Sequence, residues 1–329
     1  MADDTTSPVS LLDLAPEEAR AALRGFVERR GAPVYRAEQV LEWAYGGAAS
    51  FDEMTNLPKA DRAALAAAFT LTPLRPAVVQ RSEDGAVKHL WALEDGEKVE
   101  SVLIPAGDRL TLCLSSQAGC ALGCTFCATG AYGFRRQLTA AEIVAQYRDA
   151  QRYARDAGLG AITNVVFMGM GEPLANPEGV FPALTVLNHG FGFGARRITV
   201  STVGLVPGIR RLAERPEQFR LAVSLHAPTH ELRLRLVPIE KRYPLPELME
   251  AIREFVRAGG KRVTFEYTMI AGVNDDPAVA DALADLVGDL RPLVNLIPMN
   301  PIPFVDWGPS APETIARFRA RLAARGVKA

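Results

Sequence analysis

From about residue 106 to the end, apolar, partly β-branched runs alternate with amphipathic segments. RLTLCLSS, TNVVFMG, RITVST, RLAVSLH, RVTFEYTMI and LVNLIPM each have the length and composition of a strand buried on both faces. Between them lie helical stretches such as TAAEIVAQYRDAQRYARDAG and PELMEAIREFVRAGG. In the first of these, Thr139 and Glu142 have capping-box spacing and Gly158 can end the helix. Strand followed by helix, repeated six times, requires parallel strands joined by right-handed crossovers. Six units fall short of the usual eight-stranded closure, so the expected fold is α/β, an open partial (β/α)6 barrel.

The part before residue 106 reads differently. LAPEEARAALRGFVERRG, YRAEQVLEWAYGG and ADRAALAAAFT carry helical periodicity, the first opening at Pro16 and closing at Gly31. They predict a small helical accessory domain over residues 1–75. VKHLWALE and VESVLIP, separated by the turn pair Asp95-Gly96, predict a short β extension over 76–105. A chain of 329 residues with 48% hydrophobic side chains can bury such a core. The segment MADDTTSPVSLLDL has no basic stretch followed by an apolar one, and no apolar run is long enough to span a bilayer. The expectation is a monomeric cytoplasmic protein without membrane association.

Three of the four cysteines, Cys120, Cys124 and Cys127, fall in GCALGCTFCATG with spacing C-x-x-x-C-x-x-C. The nearest histidine, His89, is well upstream. Structural zinc takes four ligands in a closed site, whereas three thiolates on a four-iron cubane leave one iron open to an outside molecule. A zinc knuckle with a distant ligand, a redox pair and clustered core thiols are the competing readings. Ligands in parallel α/β folds sit at the carboxyl ends of strands. There the sequence places MGMGEP, in which Gly171 permits close backbone approach and Glu172 can accept hydrogen bonds from an ammonium. Ser201-Thr202, Ser224-Leu225-His226, Asn295 and Asn300 occupy the other strand ends, where each by itself also fits a cap or turn. The net charge of −1 and pI near 6.5 confine any RNA contact to local basic pairs such as Arg135-Arg136, Arg196-Arg197 and Lys261-Arg262.

VESVLIP, TLCLSSQAGCALGCTFCATG, GFRRQLTAAEIVAQ, TNVVFMGMGEPLAN, GFGARRITVSTVG, LAVSLHAPTHELRLRLVPI and VNLIPMNPIP together resemble the dual-specificity RNA adenine-C2 methyltransferases, the RlmN family of radical S-adenosylmethionine (SAM) enzymes. The resemblance implies a [4Fe–4S] cluster on Cys120, Cys124 and Cys127. It implies SAM contacts from Gly171, Glu172, Ser201, Ser224, Leu225, His226 and Asn300. Glu100 matches the family's proton acceptor and Cys113 its resolving cysteine; near Arg109, Cys113 also reads as a small core residue of the first barrel strand. The implied substrates are 23S rRNA and tRNA, with a flavodoxin-type electron donor. In the family one SAM methylates a cysteine near the C-terminus and a second yields a radical that abstracts hydrogen from that methyl group. The carbon radical then adds to adenine C2, a base removes the C2 proton, and the resolving thiolate frees the product by forming a disulfide.

One departure stands out. The family's methyl-carrying cysteine lies well beyond the asparagine matched by Asn300, and no cysteine follows Cys127. Residues 106–329 are therefore expected to be a radical SAM core without the family's C-terminal segment, from a truncated chain, with full turnover of the chain as given in question. The alternatives are a catalytically incomplete iron–sulfur RNA-binding scaffold, a C8-adenine methyltransferase of the same superfamily, and a radical SAM enzyme acting on a small molecule or protein.

Overall fold

The computed structural model describes residues 8–259 and 262–329; Lys261 of the last basic pair, and the first seven residues of the acidic N-terminal segment, lie outside them. Two compact units are defined. One comprises the described residues up to Ala118 with Gln137–Gly169 and Asn176–Arg197, the other Gly119–Arg136, Met170–Ala175 and the described residues of Ile198–Ala329.

The first unit begins with the helical module: α1 (Pro16–Arg29), α2 (Tyr35–Tyr45) and α3 (Lys59–Ala68). Leu23, Val27, Val40, Leu41, Phe51, Met54 and Leu65 close a core between them, each such side chain contributing about 1.5–3 kcal/mol by leaving water. The third helix is shorter than its periodicity suggests. Phe69–Thr70 leaves it as β2 and pairs in parallel with β1 (Val9–Ser10). Strands β3 (Arg75–Arg81), β4 (Val87–Ala92), β5 (Lys98–Ala106) and β6 (Arg109–Cys113) then form an antiparallel meander. Alternation in β4 buries Val87, His89 and Trp91 and leaves Lys88, Leu90 and Ala92 on the other face. After β7 (Gln117–Gly119), α4 (Ala128–Ala131) and β8 (Phe134–Gln137) comes α5 (Ala140–Asp156). Its N-terminus is the expected capping box: Thr139 Oγ1 accepts from the Glu142 N–H at 3.2 Å and Glu142 Oε2 accepts from the Thr139 N–H at 3.0 Å. Strand β9 (Asn164–Phe167) lies parallel to β6, and α6 (Pro177–Thr185) follows.

The second unit carries four parallel strands, β10 (Ile198–Thr202), β11 (Arg220–Ser224), β12 (Val263–Met269) and β13 (Leu293–Pro298), paired in that order. The elements between and after them are α7 (Val206–Ala213), α8 (His230–Leu236), α9 (Leu245–Arg257), α10 (Pro277–Val287) and α11 (Pro312–Ala324). Leu245, Leu248, Met249, Ile252 and Phe255 make the buried stripe of α9, the 3–4 residue spacing that fixes one helix face to the sheet. All six expected strands of the parallel series, β6 and β9 to β13, are present.

Candidate active site

The cysteine loop leaves β7 and returns through β8. Gly119 (φ 79°) is followed by Cys120, whose N–H donates to the Gly133 carbonyl at 3.1 Å. A Cβ on Gly119 would stand 1.9 Å from that carbonyl oxygen, so only glycine lets the loop close. At its far side the Thr125 N–H donates to the Leu236 carbonyl at 3.1 Å, satisfying an orphan carbonyl at the end of α8. Cys127 caps α4. Cys124 and Phe126 pack onto Ala227, Leu236, Val237, Ile270 and Met299.

All three thiols are free and partly buried. Burial pushes Cys124 up to about 12, with the other two thiols and Glu172 adding to the rise and Arg233 opposing it. Cys120 is raised as well, again chiefly by burial. Burial of Cys120 and Cys124 opposes their ionisation, and a metal coordinated by the loop would supply the positive charge that favours the thiolates. Among the described residues no three Cys, His, Asp or Glu side chains converge on a point the size of a single metal ion. A cubane takes one thiolate on each of three irons and so spreads its ligands more widely. The donor set fits a [4Fe–4S] cluster with one iron left open.

Glu172 is buried beside these thiols. Its Oε1 accepts from the Leu174 N–H at 3.1 Å and its Oε2 from the Val203 N–H at 2.8 Å, with Thr202 also donating. Burial nonetheless raises the carboxyl to about 7. Gly171, at φ 99°, supplies the turn that delivers it. Ser201 lies in β10 and is nearly buried; Ser224 ends β11. The Leu225 N–H donates to the Glu266 carbonyl at 3.1 Å.

His226 adopts a left-handed φ of 59°. Its Nδ1 accepts from the Thr268 N–H at 3.0 Å, and the ring meets Phe126 edge-on at 4.4 Å. Burial, aided by Arg233, lowers it to about 3, so the neutral ring carries its proton on Nε2. Asn300 follows β13 and is exposed. Asn295 lies within β13 instead of at its end, and its amide donates to Glu266 Oε2 at 2.7 Å.

Glu100 and Cys113 belong to the first unit. Register places Val102 opposite both Lys88 and Cys113, so Lys88, Glu100 and Cys113 share one face of the sheet. Lys88 Nζ lies 3.1 Å from Glu100 Oε1. Burial pushes the Cys113 thiol up to about 12, against a backbone hydrogen bond from Met168. Arg109 begins the strand that Cys113 ends, about 13 Å away at the rise of a β-strand, so it gives this thiol no help. His89 stacks on Trp91 with ring centroids 4.8 Å apart.

Two supports escaped sequence reading. Asn274 donates to the His226 carbonyl at 2.9 Å and the Thr268 carbonyl at 2.7 Å while accepting from the Ile270 N–H at 2.8 Å, which holds the strained histidine in place. Arg233, fully buried, pairs with buried Glu240 at 2.5 Å and donates to the Val203 carbonyl. It thereby braces the peptide whose neighbouring N–H binds Glu172.

A cysteine loop of this spacing, a buried glutamate beside it and polar ends on parallel strands define a radical SAM enzyme. Residues 114–283 match the radical SAM superfamily, and residues 9–71 match the "Ribosomal RNA large subunit methyltransferase N-terminal domain". A "Probable dual-specificity RNA methyltransferase RlmN" of Gemmatimonas aurantiaca is 50% identical, covering 97% of this chain and 87% of that protein. A "Dual-specificity RNA methyltransferase RlmN" of Anaeromyxobacter dehalogenans is 47% identical over 99% of this chain and 88% of its own. The crystal structure of a radical SAM methyltransferase from Sphaerobacter thermophilus superposes with a TM-score of 0.92 at 49% identity, covering 98% of this chain and 94% of that one. The chain belongs to the RlmN family of radical SAM methyltransferases, whose cofactors are a [4Fe–4S] cluster and SAM. Among the described residues no helix is long and apolar enough to cross a membrane.

Proposed function

We propose that this chain methylates C2 of adenine in 23S rRNA and in tRNA, with SAM as methyl donor and as radical source. The observation that carries the reading is the cysteine loop with buried Glu172 in the field of its thiols, in a chain of this family. Cys120, Cys124 and Cys127 hold the cluster, which supplies an open iron for the amino and carboxylate groups of SAM and the electron that cleaves its sulfonium.

The rest falls to the chain's own side chains. Glu172 accepts from the amino group, its two oxygens aimed by the Leu174 and Val203 amides. His226, neutral and held at Nδ1, presents Nε2–H to an oxygen of the ribose or carboxylate. Ser201, Ser224 and Asn300 add hydroxyl and amide partners, and buried Leu225 adds an apolar wall. Glu100, tethered to Lys88, takes the C2 proton. Cys113 stays a thiol until a base relieves it, because its burial disfavours the thiolate. The helical module supplies RNA contacts, and a flavodoxin-type protein the electrons.

Mass spectrometry of nucleosides from unmodified 23S rRNA and tRNA, incubated with reconstituted protein, reductant and methyl-labelled SAM, tests this. The expected product is labelled 2-methyladenosine. Labelled 8-methyladenosine overturns the assignment of position, and a labelled peptide or small molecule without modified RNA overturns the substrate class.

A further inference from the structure

Three aromatic rings stand out of the surface on segments that begin at the site. Tyr132 is 69% exposed, Phe304 52% and Phe134 42%. Tyr132 closes α4, the turn capped by Cys127, and its N–H donates to the Ala128 carbonyl at 3.2 Å. Phe304 comes from a different part of the chain, shortly after Asn300. The Tyr132 and Phe304 rings meet edge-to-face with centroids 5.9 Å apart at 88°. Scattered exposed apolar side chains are ordinary; two large rings brought together in water from distant segments leave a contiguous apolar face uncovered. That face is tied to the cysteine loop, since Gly133, between Tyr132 and Phe134, accepts the Cys120 N–H.

The exposed charges near these segments include two arginines and, two residues after Phe304, Asp306. Arg135 is exposed on β8, and exposed Arg235 holds its guanidinium 5.4 Å from the Trp307 ring centroid. Exposed rings with arginines beside them suit an unpaired nucleotide: bases stack on the rings, phosphates meet the guanidinium groups, and no base sequence is required. An enzyme that reacts at a ring carbon of adenine must take that base out of its helix, which leaves the neighbouring base without a stacking partner.

We propose that Tyr132 and Phe304 form a stacking platform for the unpaired base next to the target adenine, with Arg135 and Arg235 facing its phosphates. The proposal deepens the RNA methyltransferase reading and rests on it.

The test uses anaerobically reconstituted full chain and a 23S rRNA hairpin with an unpaired adenosine, intact or abasic at the flanking nucleotide. Dissociation constants are read by fluorescence anisotropy at several salt concentrations, with iron per chain as the check on folding. Tyr132→Ala and Phe304→Ala are each expected to weaken binding of the intact hairpin about tenfold and to leave binding of the abasic hairpin unchanged. Tyr132→Trp restores the loss, and the salt slope stays that of the wild type. Arg135→Ala lowers the salt slope by about one. Equal affinity of wild type and both alanine variants for the intact hairpin, or equal losses on both hairpins, overturns the proposal. So does a concentration-dependent dimer that Tyr132→Ala dissociates, which would place a second copy on the rings. A wild-type chain that binds neither hairpin overturns the RNA reading itself and this inference with it.

Discussion

Replacing Arg233 by Met removes one charge from a place where no water can compensate. Arg233 and Glu240 are both fully buried, 2.5 Å apart, and the carboxylate's other oxygen is shared by His230 Nδ1 at 2.8 Å and the Leu245 N–H at 2.9 Å. Met keeps the apolar stem and leaves Glu240 without its guanidinium. Breaking a buried pair by removing one member costs about 3–5 kcal/mol, a factor of roughly a hundred or more in the folding equilibrium. The Val203 carbonyl loses its donor too, and α8, which holds Thr125 of the cysteine loop, loses its tether. Chemical denaturation of the cluster-free chain, followed by tryptophan fluorescence, reads the cost; iron per chain after reconstitution reads the loop. Arg233→Met is expected to lose both stability and iron. Arg233→Met/Glu240→Leu is expected to be more stable than Arg233→Met alone by about 1 kcal/mol or more, because the orphaned charge is gone. A single variant within about 1 kcal/mol of wild type, or a double variant in which the two losses add, would refute the reasoning.

Four further outcomes follow from the same geometry. Gly119→Ala drives a Cβ onto the Gly133 carbonyl and should abolish iron incorporation, read by iron per chain, while the α5 cap is untouched. Thr139→Ala removes that cap's acceptor and should lower stability by about 1 kcal/mol in denaturant titration. His89 is fully buried and lowered to about 4 from an ordinary 6.5, so the unfolded chain takes a proton that the folded chain refuses. Stability should therefore fall as pH drops from about 6.5 to about 4, by about 3 kcal/mol through this residue, and His89→Phe should flatten that part of the pH profile. Cys113, raised to about 12, should react with iodoacetamide at pH 8 about a thousandfold more slowly than an unperturbed thiol, measured by peptide mass spectrometry.

The cysteine loop was legible because its three cysteines lie within eight positions of one another, and the α5 cap because its partners are three apart. Period-2 alternation gave β4, and apolar runs gave β6 and β9 of the first unit and β10 to β13 of the second. What escaped depends on pairs distant in sequence. β1 and β2 are two residues each and exist only because Val9 finds Phe69; so short a strand has no period to read. Arg233 and Glu240 look like members of a solvated charged stretch, and only the packing of α8 shows them buried. Asn274 sits in a turn-rich segment where an asparagine is commonplace. Asn295 looks like a strand end in sequence, because a polar residue interrupts the apolar run, yet β13 continues to Pro298.

Everything proposed for this chain depends on Cys120, Cys124 and Cys127 holding a cluster whose open iron would bind and cleave SAM. The most direct measurement is iron and sulfide per chain after anaerobic reconstitution, with 5′-deoxyadenosine released after reduction in the presence of SAM, for wild type and for Cys124→Ala. The wild type is expected to be brown with about four irons and to release 5′-deoxyadenosine, and the variant to be colourless and release none. A colourless wild-type protein that binds zinc, or a loaded cluster that never cleaves SAM, would contradict this assignment.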